Sequence, residues 1–264
     1  MDRLRFKKPK DEKETGNKTS GDLSISSALI KFYRGNGTDF QGRYLKDIMK
    51  WDMRKLEQDH AYIQTMFPLP ESSNIVGRSA PKIDYEVFKA FRKSPNLRRA
   101  LYNSFRRILW FYGLRPKLNE EGYFETVEKN PDSWHNSTRS WNAQFDHNHL
   151  RITRIIRCLR VLGLEEEAQA FYEFLKENAV RASKTSQMYW TRAAKRPLNV
   201  KPDIDIDEET YHIVGDVFLK AYEKRLKEAE EKDKEYGKGN WTKTEEEEAE
   251  DEENWSQSED EDLV

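Results

Sequence analysis

Between Asp22 and about residue 234, apolar residues recur three or four positions apart, and this helical period most constrains the fold. Glycine and proline residues interrupt the pattern, as expected between helices. Apolar and polar residues alternate, as in strands, only in short pieces near Tyr123–Phe124 and Ile204–Ile206. No segment repeats at a period of roughly 20 to 50 residues, which argues against a solenoid. The sequence therefore predicts a single all-α, multi-helix domain.

Several helix boundaries are indicated by capping residues. Residues 43–67 carry apolar residues near helical spacing and are expected to form one long helix that ends at Pro68. Asp84 is suited to cap the next helix at its N-terminus. Gly113 is suited to end the helix after that one. Asp146 is expected to cap the arginine-rich helix that follows.

The segment between Gly113 and Asp146 is expected to be irregular because proline and glycine interrupt it. Trp134 and Trp141 are predicted to anchor it to the core, since large aromatic side chains are rarely left in solvent. The last predicted helix runs from Asp207 to about residue 234.

Charge is unevenly distributed along the 264 residues, although 46 basic and 48 acidic residues give a formal net charge of only −2. Twelve of the acidic residues lie between Glu245 and Asp262, and no Lys or Arg follows Lys243, so residues 1–244 carry a formal charge of +10. The sequence predicts three segments: 1–21, a disordered basic and polar N-terminus; 22–234, the helical domain; 235–264, a disordered acidic tail.

Several classes of protein are disfavoured by composition. Apolar runs fall short of the roughly 18–20 residues that span a bilayer, and no secretory leader is recognisable at the N-terminus. The single cysteine, Cys158, excludes an internal disulfide framework and a cysteine-rich zinc module. It lies beside Arg154 and Arg157, which are expected to lower its pKa. We expect the chain to act in the nucleus, in the cytoplasm or in both.

Catalytic and metal-binding motifs are absent from the sequence, and no cofactor, metal or enzymatic activity is predicted. His147 and His149 are two positions apart, so at the start of a helix they diverge by about 200° and do not converge on one ion. Capping or core hydrogen bonding is the favoured interpretation for both, and a ligand contact is the alternative. Glu57 and His60 are three positions apart on a predicted helix, where the carboxylate is expected to orient a buried histidine.

The helix after Asp146 is divided on a helical wheel into an apolar face and an arginine face. The second face holds Arg151, Arg154, Arg157 and Arg160. A solvated basic face is the favoured interpretation, and an anion-binding surface for phosphate, nucleic acid or an acidic peptide is the alternative. Residues 178–202 add six basic residues, no acidic residue, and two aromatic side chains, Tyr189 and Trp190. This pattern suits a nucleic-acid surface, although core packing of the two rings is favoured.

Three motifs carry a resemblance to a known family. They are LExxHxYIQ at residues 56–64, FYG at 111–113 and HxHxRxTR at 147–154. Together with the segments around them, over about residues 28–178, they resemble the conserved domain of the opioid growth factor receptor family. The resemblance implies a non-enzymatic, receptor-like regulatory protein. It also implies an enkephalin-type peptide ligand and peripheral association with membranes of the nuclear region.

A peptide- or protein-binding module with an aromatic-lined helical groove is the function that we expect from this resemblance. A peptide with a free amine and aromatic side chains would need a carboxylate beside aromatic walls, and Glu57 and Asp59 are the candidates. The predicted ligand-binding residues are Trp51, Glu57, His60, Tyr62, Phe67, Trp110, Tyr112, His147 and His149. The alternative is a nucleic-acid-associated nuclear factor that uses the arginine face.

Overall fold

The computed structural model describes residues 28–72 and 80–236, except for the side chains of residue 140 and residues 233–236. The predicted disordered N-terminus and nearly all of the predicted acidic tail lie outside these residues. The chain divides into two compact units, residues 1–220 and residues 221–264. Residues 221–236 belong to the second unit and continue a helix with mostly exposed, charged side chains.

Helices dominate the described residues, which confirms the all-α prediction. The helices are α1 Ala28–Tyr33, α2 Leu45–Ile48, α3 Met53–Gln58, α4 Tyr62–Met66, α5 Tyr85–Lys93, α6 Pro95–Phe111, α7 Trp134–Ser137, α8 Asn148–Val161, α9 Glu165–Asn178, α10 Lys184–Lys195 and α11 Val217–Tyr236. One antiparallel hairpin joins β1 Leu114–Leu118 to β2 Phe124–Lys129. Short 3-10 helices occupy Thr138–Ser140 and Glu208–Ile213.

Residues 43–67 form three short helices, α2 to α4, so the prediction of one long helix is wrong. Aspartates at the two breaks explain the difference. Asp52 accepts a hydrogen bond from the backbone N–H of Lys55 and caps α3. Asp59 accepts hydrogen bonds from the backbone N–H groups of Ala61 and Tyr62, at the start of α4. These local side-chain bonds offer the backbone an alternative to a continuous helix.

Other boundary predictions have mixed outcomes. Asp84 caps α5 by accepting a hydrogen bond from the backbone N–H of Val87, and Gly113 follows α6, as predicted. The segment after Gly113 contains the hairpin, so its prediction as irregular is wrong in part. The last helix begins at Val217 and not at Asp207, because a 3-10 helix comes first. No strand occupies residues 204–206.

The core of the first unit is built around α8, which packs against α9 and α10. The hairpin packs on α6 and α9. Aromatic side chains fill the centre: the rings of Phe105 and Tyr112 contact Phe171, and Trp141 contacts Tyr112 at 6.1 Å between ring centroids. Trp141 is fully buried, and its indole N–H donates to the carbonyl of Tyr112. This tryptophan anchors its segment as predicted.

Candidate functional site

The four arginines of α8 lie inside the protein, with Arg151 and Arg157 buried and Arg154 and Arg160 half-buried. Their guanidinium groups donate to backbone carbonyls of other segments. Arg151 donates to carbonyls at the end of α3. The acceptors of the other three arginines are the carbonyls of Phe67 for Arg154, of Leu198 and Val200 for Arg157, and of Ala193 and Arg196 for Arg160. The expectation of a solvated arginine face is therefore wrong. Anion binding by these side chains stays a prediction and would require them to give up these bonds.

Arg151 caps the C-terminal end of α3. Its Nη1 atom lies 3.0 Å from the carbonyl oxygen of Leu56, and its Nη2 atom lies 3.1 Å from the carbonyl oxygens of Glu57 and Asp59. The last carbonyls of a helix have no partner within the helix, so the guanidinium satisfies groups that would otherwise need water. Because Arg151 of α8 binds these carbonyls, it fixes the backbone from which the side chains of Glu57 and His60 extend.

His60 also depends on Arg151. The Nη2 atom of Arg151 lies 3.1 Å from Nδ1 of His60, and a guanidinium can only donate, so Nδ1 accepts and the ring proton resides on Nε2. Burial lowers the pKa of His60, and the positive charge of Arg151 and the neighbouring His147 lower it further. The rings of His60 and His147 meet nearly perpendicular, 5.1 Å apart. The two exposed histidines therefore form one surface pair.

Glu57 faces α8 and not His60. Its carboxylate oxygens lie 3.3 Å from Nε2 of His147 and 3.3 Å from Nδ2 of Asn148. The predicted pairing of Glu57 with His60, as an orienting contact for a buried histidine, is wrong because Arg151 orients an exposed His60. About one third of the Glu57 side chain, 34%, remains accessible to solvent. The carboxylate can therefore accept further hydrogen bonds from a ligand.

The aromatic residues of the predicted groove are separated by burial. Tyr62, Phe67 and Tyr112 are completely or almost completely buried, whereas Trp51 and Trp110 are half-buried. Three of the five predicted aromatic walls are therefore core side chains and do not line an open groove. Tyr62 supports Trp51 from below, with ring centroids 5.5 Å apart.

His149 joins α8 to α10. Its Nε2 atom lies 2.8 Å from the carbonyl oxygen of Trp141, its Nδ1 atom lies 2.9 Å from the hydroxyl of Ser186, and its ring packs edge-on against Trp190. It is buried, whereas His147 is exposed and contacts Glu57, although both histidines line the same cavity. Within residues 28–72 and 80–236, no group of three or more His, Cys, Asp or Glu side chains could hold a metal.

A cavity of about 490 Å³ lies beside His147, between the start of α8 and α10. Phe145 and Leu150 line it and are 77% and 62% exposed, and Tyr189 lies on the α10 side. Phe145 and Leu150 were not predicted as site residues. A signal was present, since Leu150 is an apolar residue off the core face of a predicted helix and Phe145 is an apolar residue just before the predicted cap, Asp146. His147 connects this cavity to the carboxylate of Glu57.

A second cavity, of about 370 Å³, lies near His60 and is lined in part by Lys55 and Asp59. Although burial opposes ionisation, the backbone N–H groups of Ala61 and Tyr62 and the charge of Arg43 lower the pKa of Asp59. Arg43 Nη1 lies 2.7 Å from the Asp59 carboxylate. Since Asp59 is already paired, Glu57 is the more available of the two carboxylates that were predicted to bind an amine.

Cys158 is fully buried on α8. Burial raises the pKa of its thiol, and the opposing effect of Arg154 is smaller. The expectation of a lowered pKa is wrong because a helical wheel gives neighbours in sequence but not the loss of water around the sulfur.

Comparison with known proteins identifies the family. The model of the opioid growth factor receptor (OGFr) conserved region matches residues 25–193. The chain belongs to the opioid growth factor receptor family. The match extends past the resemblance over residues 28–178 and includes nearly all of α10, so the cavity beside His147 lies entirely inside the family region.

Curated relatives are about 30% identical to the chain. It is similar to the opioid growth factor receptor of Mus musculus, with 31% identity over 169 residues, and to that of Homo sapiens, with 32% over 166 residues. It is also 30% identical over 157 residues to opioid growth factor receptor-like protein 1 of Mus musculus. These alignments cover 62%, 61% and 57% of this chain but only 25%, 23% and 32% of the relatives. No solved structure matches.

Among the described residues, none of the helices has the length and hydrophobicity that crossing a membrane requires.

Proposed function

We propose that the chain is a non-enzymatic module that binds a short peptide with a free amine and an aromatic side chain. The observation that supports the proposal is the contact of the accessible Glu57 carboxylate with His147, because His147 lines the cavity together with Phe145 and Leu150. A carboxylate that can accept from an ammonium group, next to an apolar cavity, suits such a ligand.

The names of the relatives support this choice of ligand, because they are called opioid growth factor receptors. An enkephalin-type peptide has a free amine on a tyrosine residue. In the proposed complex, the amine pairs with Glu57 and an aromatic ring enters the cavity beside Leu150. The regulatory role, a nuclear or cytoplasmic location and peripheral association with nuclear membranes are parts of the same proposal.

Isothermal titration calorimetry of the full chain with an enkephalin pentapeptide tests the proposal. We expect Glu57→Gln to weaken binding at least about tenfold, because a charge-assisted hydrogen bond contributes roughly 1.5–3 kcal/mol. Glu128→Gln is the matched control, since the Glu128 side chain has a similar exposure of 35% and lies on β2. The same peptide with an acetylated amine should bind as weakly to the native chain as the free peptide binds to Glu57→Gln.

Leu150→Ser tests the apolar part of the site and should also weaken binding. Ile213→Ser is its control, because Ile213 and Leu150 are both 62% exposed. The proposal fails if the pentapeptide does not bind the folded native chain, or if the control variants lose as much affinity as the site variants. Location is tested separately by imaging a fluorescent fusion of the full chain, and a fusion found only outside the nucleus and cytoplasm would contradict that part.

A further inference from the structure

The exposed face of α6 is basic and has no acidic residue. The helix contains four arginines and neither Asp nor Glu. Arg99, Asn103 and Arg106 are exposed, and with the half-buried Trp110 they fall within about 60° around the helix axis at 100° per residue. The side chains from Arg99 to Trp110 therefore form one stripe, which runs about 16 Å along the axis.

The link between α2 and α3 extends this stripe at its C-terminal end. Arg107 of α6 donates a hydrogen bond to the backbone carbonyl of Trp51, and its guanidinium lies 4.0 Å from the centre of the Trp110 ring. The exposed Lys50 precedes Trp51. We call the set Lys50, Trp51, Arg99, Arg106, Arg107 and Trp110 the α6 basic surface.

The charges of the α6 basic surface are not neutralised by carboxylates of the described residues. No ion pair within residues 28–72 and 80–236 involves Lys50, Arg99, Arg106 or Arg107. Arg107 is half-buried and donates to the carbonyl of Trp51, but Arg99 and Arg106 are exposed. In α8, by contrast, backbone carbonyls or a carboxylate occupy the guanidinium groups of all four arginines. Arg99 and Arg106 are therefore accessible to an anion, whereas the arginines of α8 would have to give up existing hydrogen bonds to bind one.

We infer that the α6 basic surface binds single-stranded nucleic acid. Arg99 and Arg106, about two helical turns apart, can contact phosphates of one strand, and the half-buried Trp110 ring can stack on an unpaired base through the face that Arg107 does not cover. Trp110 favours a nucleic acid over an acidic peptide, since every base has a flat aromatic face and carboxylate side chains have none. The peptide site at Glu57 and His147 does not share any residue with this surface.

A fluorescein-labelled uridine homopolymer of about 15 nucleotides, titrated with the full chain and followed by anisotropy, tests the inference. We expect binding that weakens steeply as salt rises from about 50 to 200 mM. Replacing Arg99→Gln and Arg106→Gln together should weaken binding at least tenfold and lower the log–log salt slope by about 0.7 for each lost phosphate contact. The thymidine homopolymer, as a second arm, distinguishes RNA from DNA as the preferred strand.

The matched control is the pair Arg181→Gln and Lys184→Gln, which removes two exposed positive charges near the start of α10. This control should bind within twofold of the native chain. Trp110→Ala should weaken binding about tenfold with an unchanged salt slope, because stacking does not release counterions. Trp110→Phe keeps an aromatic face and should largely restore binding, which separates a loss of stacking from a loss of folding.

Four results would overturn the inference. They are no binding of either homopolymer at low salt, an equal loss of affinity in the α10 control, equal binding of duplex and single strand, and equal binding of a polyglutamate peptide that the Trp110→Ala change leaves unaffected. The last result would assign the surface to an acidic peptide.

Discussion

Arg157 on α8 and Glu71 in the loop after α4 form a buried ion pair, with Nε of the arginine 2.6 Å from a carboxylate oxygen. The side chains are only 3% and 11% exposed. The arginine also donates to the carbonyls of Leu198 and Val200, so one guanidinium joins three distant parts of the chain.

Glu71→Gln should lower the free energy of unfolding by about 3 kcal/mol, because it leaves the buried charge of Arg157 without its counterion. Urea denaturation measures the change. Glu125→Gln on β2, which breaks an exposed pair with Lys117, should cost less than about 1 kcal/mol. Equal losses in the two variants would contradict the importance of burial here.

The free energy of unfolding should fall as pH rises through the range in which the buried Glu167 ionises. Burial, aided by the negative charges of the neighbouring Glu166 and Glu165, raises the pKa of this carboxyl from 4.5 to about 7. The folded state therefore binds more protons between those two values, so stability falls as pH rises through that window. Glu167→Gln should raise the free energy of unfolding by about 3 kcal/mol at pH 8 and change it little near pH 4.

The control for this prediction is Glu173→Gln, which changes a more exposed carboxylate on the same helix, paired with Lys176. Urea denaturation at both pH values should show no added pH dependence for Glu173→Gln. A Glu167→Gln protein that is equally stabilised at both pH values would show that packing, and not ionisation, is responsible.

Gly215→Ala should be strongly destabilising, by about 3 kcal/mol or more, because the backbone has a positive φ and a Cβ atom would lie 2.0 Å from the carbonyl oxygen of Asn199. Gly42 has a similar φ of +79°, but a Cβ atom added there would meet no atom within 4 Å, so Gly42→Ala should cost only about 1 kcal/mol. Thermal melting compares the two. A smaller cost at residue 215 than at residue 42 would contradict the close approach of Asn199.

The thiol of Cys158 should be inert in the folded protein, because burial raises its pKa and keeps reagents out. We expect an aromatic disulfide reagent to modify less than roughly one tenth of the protein in native buffer and all of it in denaturant, because only opened molecules expose the sulfur. Rapid labelling of the native chain at neutral pH would show that α8 is accessible.

The apolar period of α8 is sufficient to predict its core face, and Ile152, Ile155 and Leu159 are all completely buried. The opposite face could not be predicted, because carbonyls from residues 56–67 and 193–200 cover it, and those residues are distant in sequence. A helical wheel describes one helix and carries no information about which distant segments will reach it.

For the candidate site, too, the individual residues could be predicted from the sequence, but their contact with each other could not. Glu57 and His147 are predicted individually, but their 3.3 Å contact depends on α3 ending at α8, which no local pattern indicates. The break between α3 and α4 is predictable in principle, since Asp52 and Asp59 are residue types that favour caps and turns. In residues 43–67, these capping residues break the helix although the apolar residues keep a helical spacing.

The hydrogen bonds of Arg157 and Arg160 to residues beyond 193 bear on where the family region can be cut. The segment matched by the family ends at residue 193, whereas the acceptors at Arg196, Leu198 and Val200 lie just after it. A fragment that stops at the end of the match would lose these three carbonyl acceptors and keep only Glu71 for Arg157 and the carbonyl of Ala193 for Arg160 among the acceptors described above. We therefore expect a fragment that extends through residue 200 to be more stable than one that ends at residue 193, so the sequence match is shorter than the segment that stabilises α8.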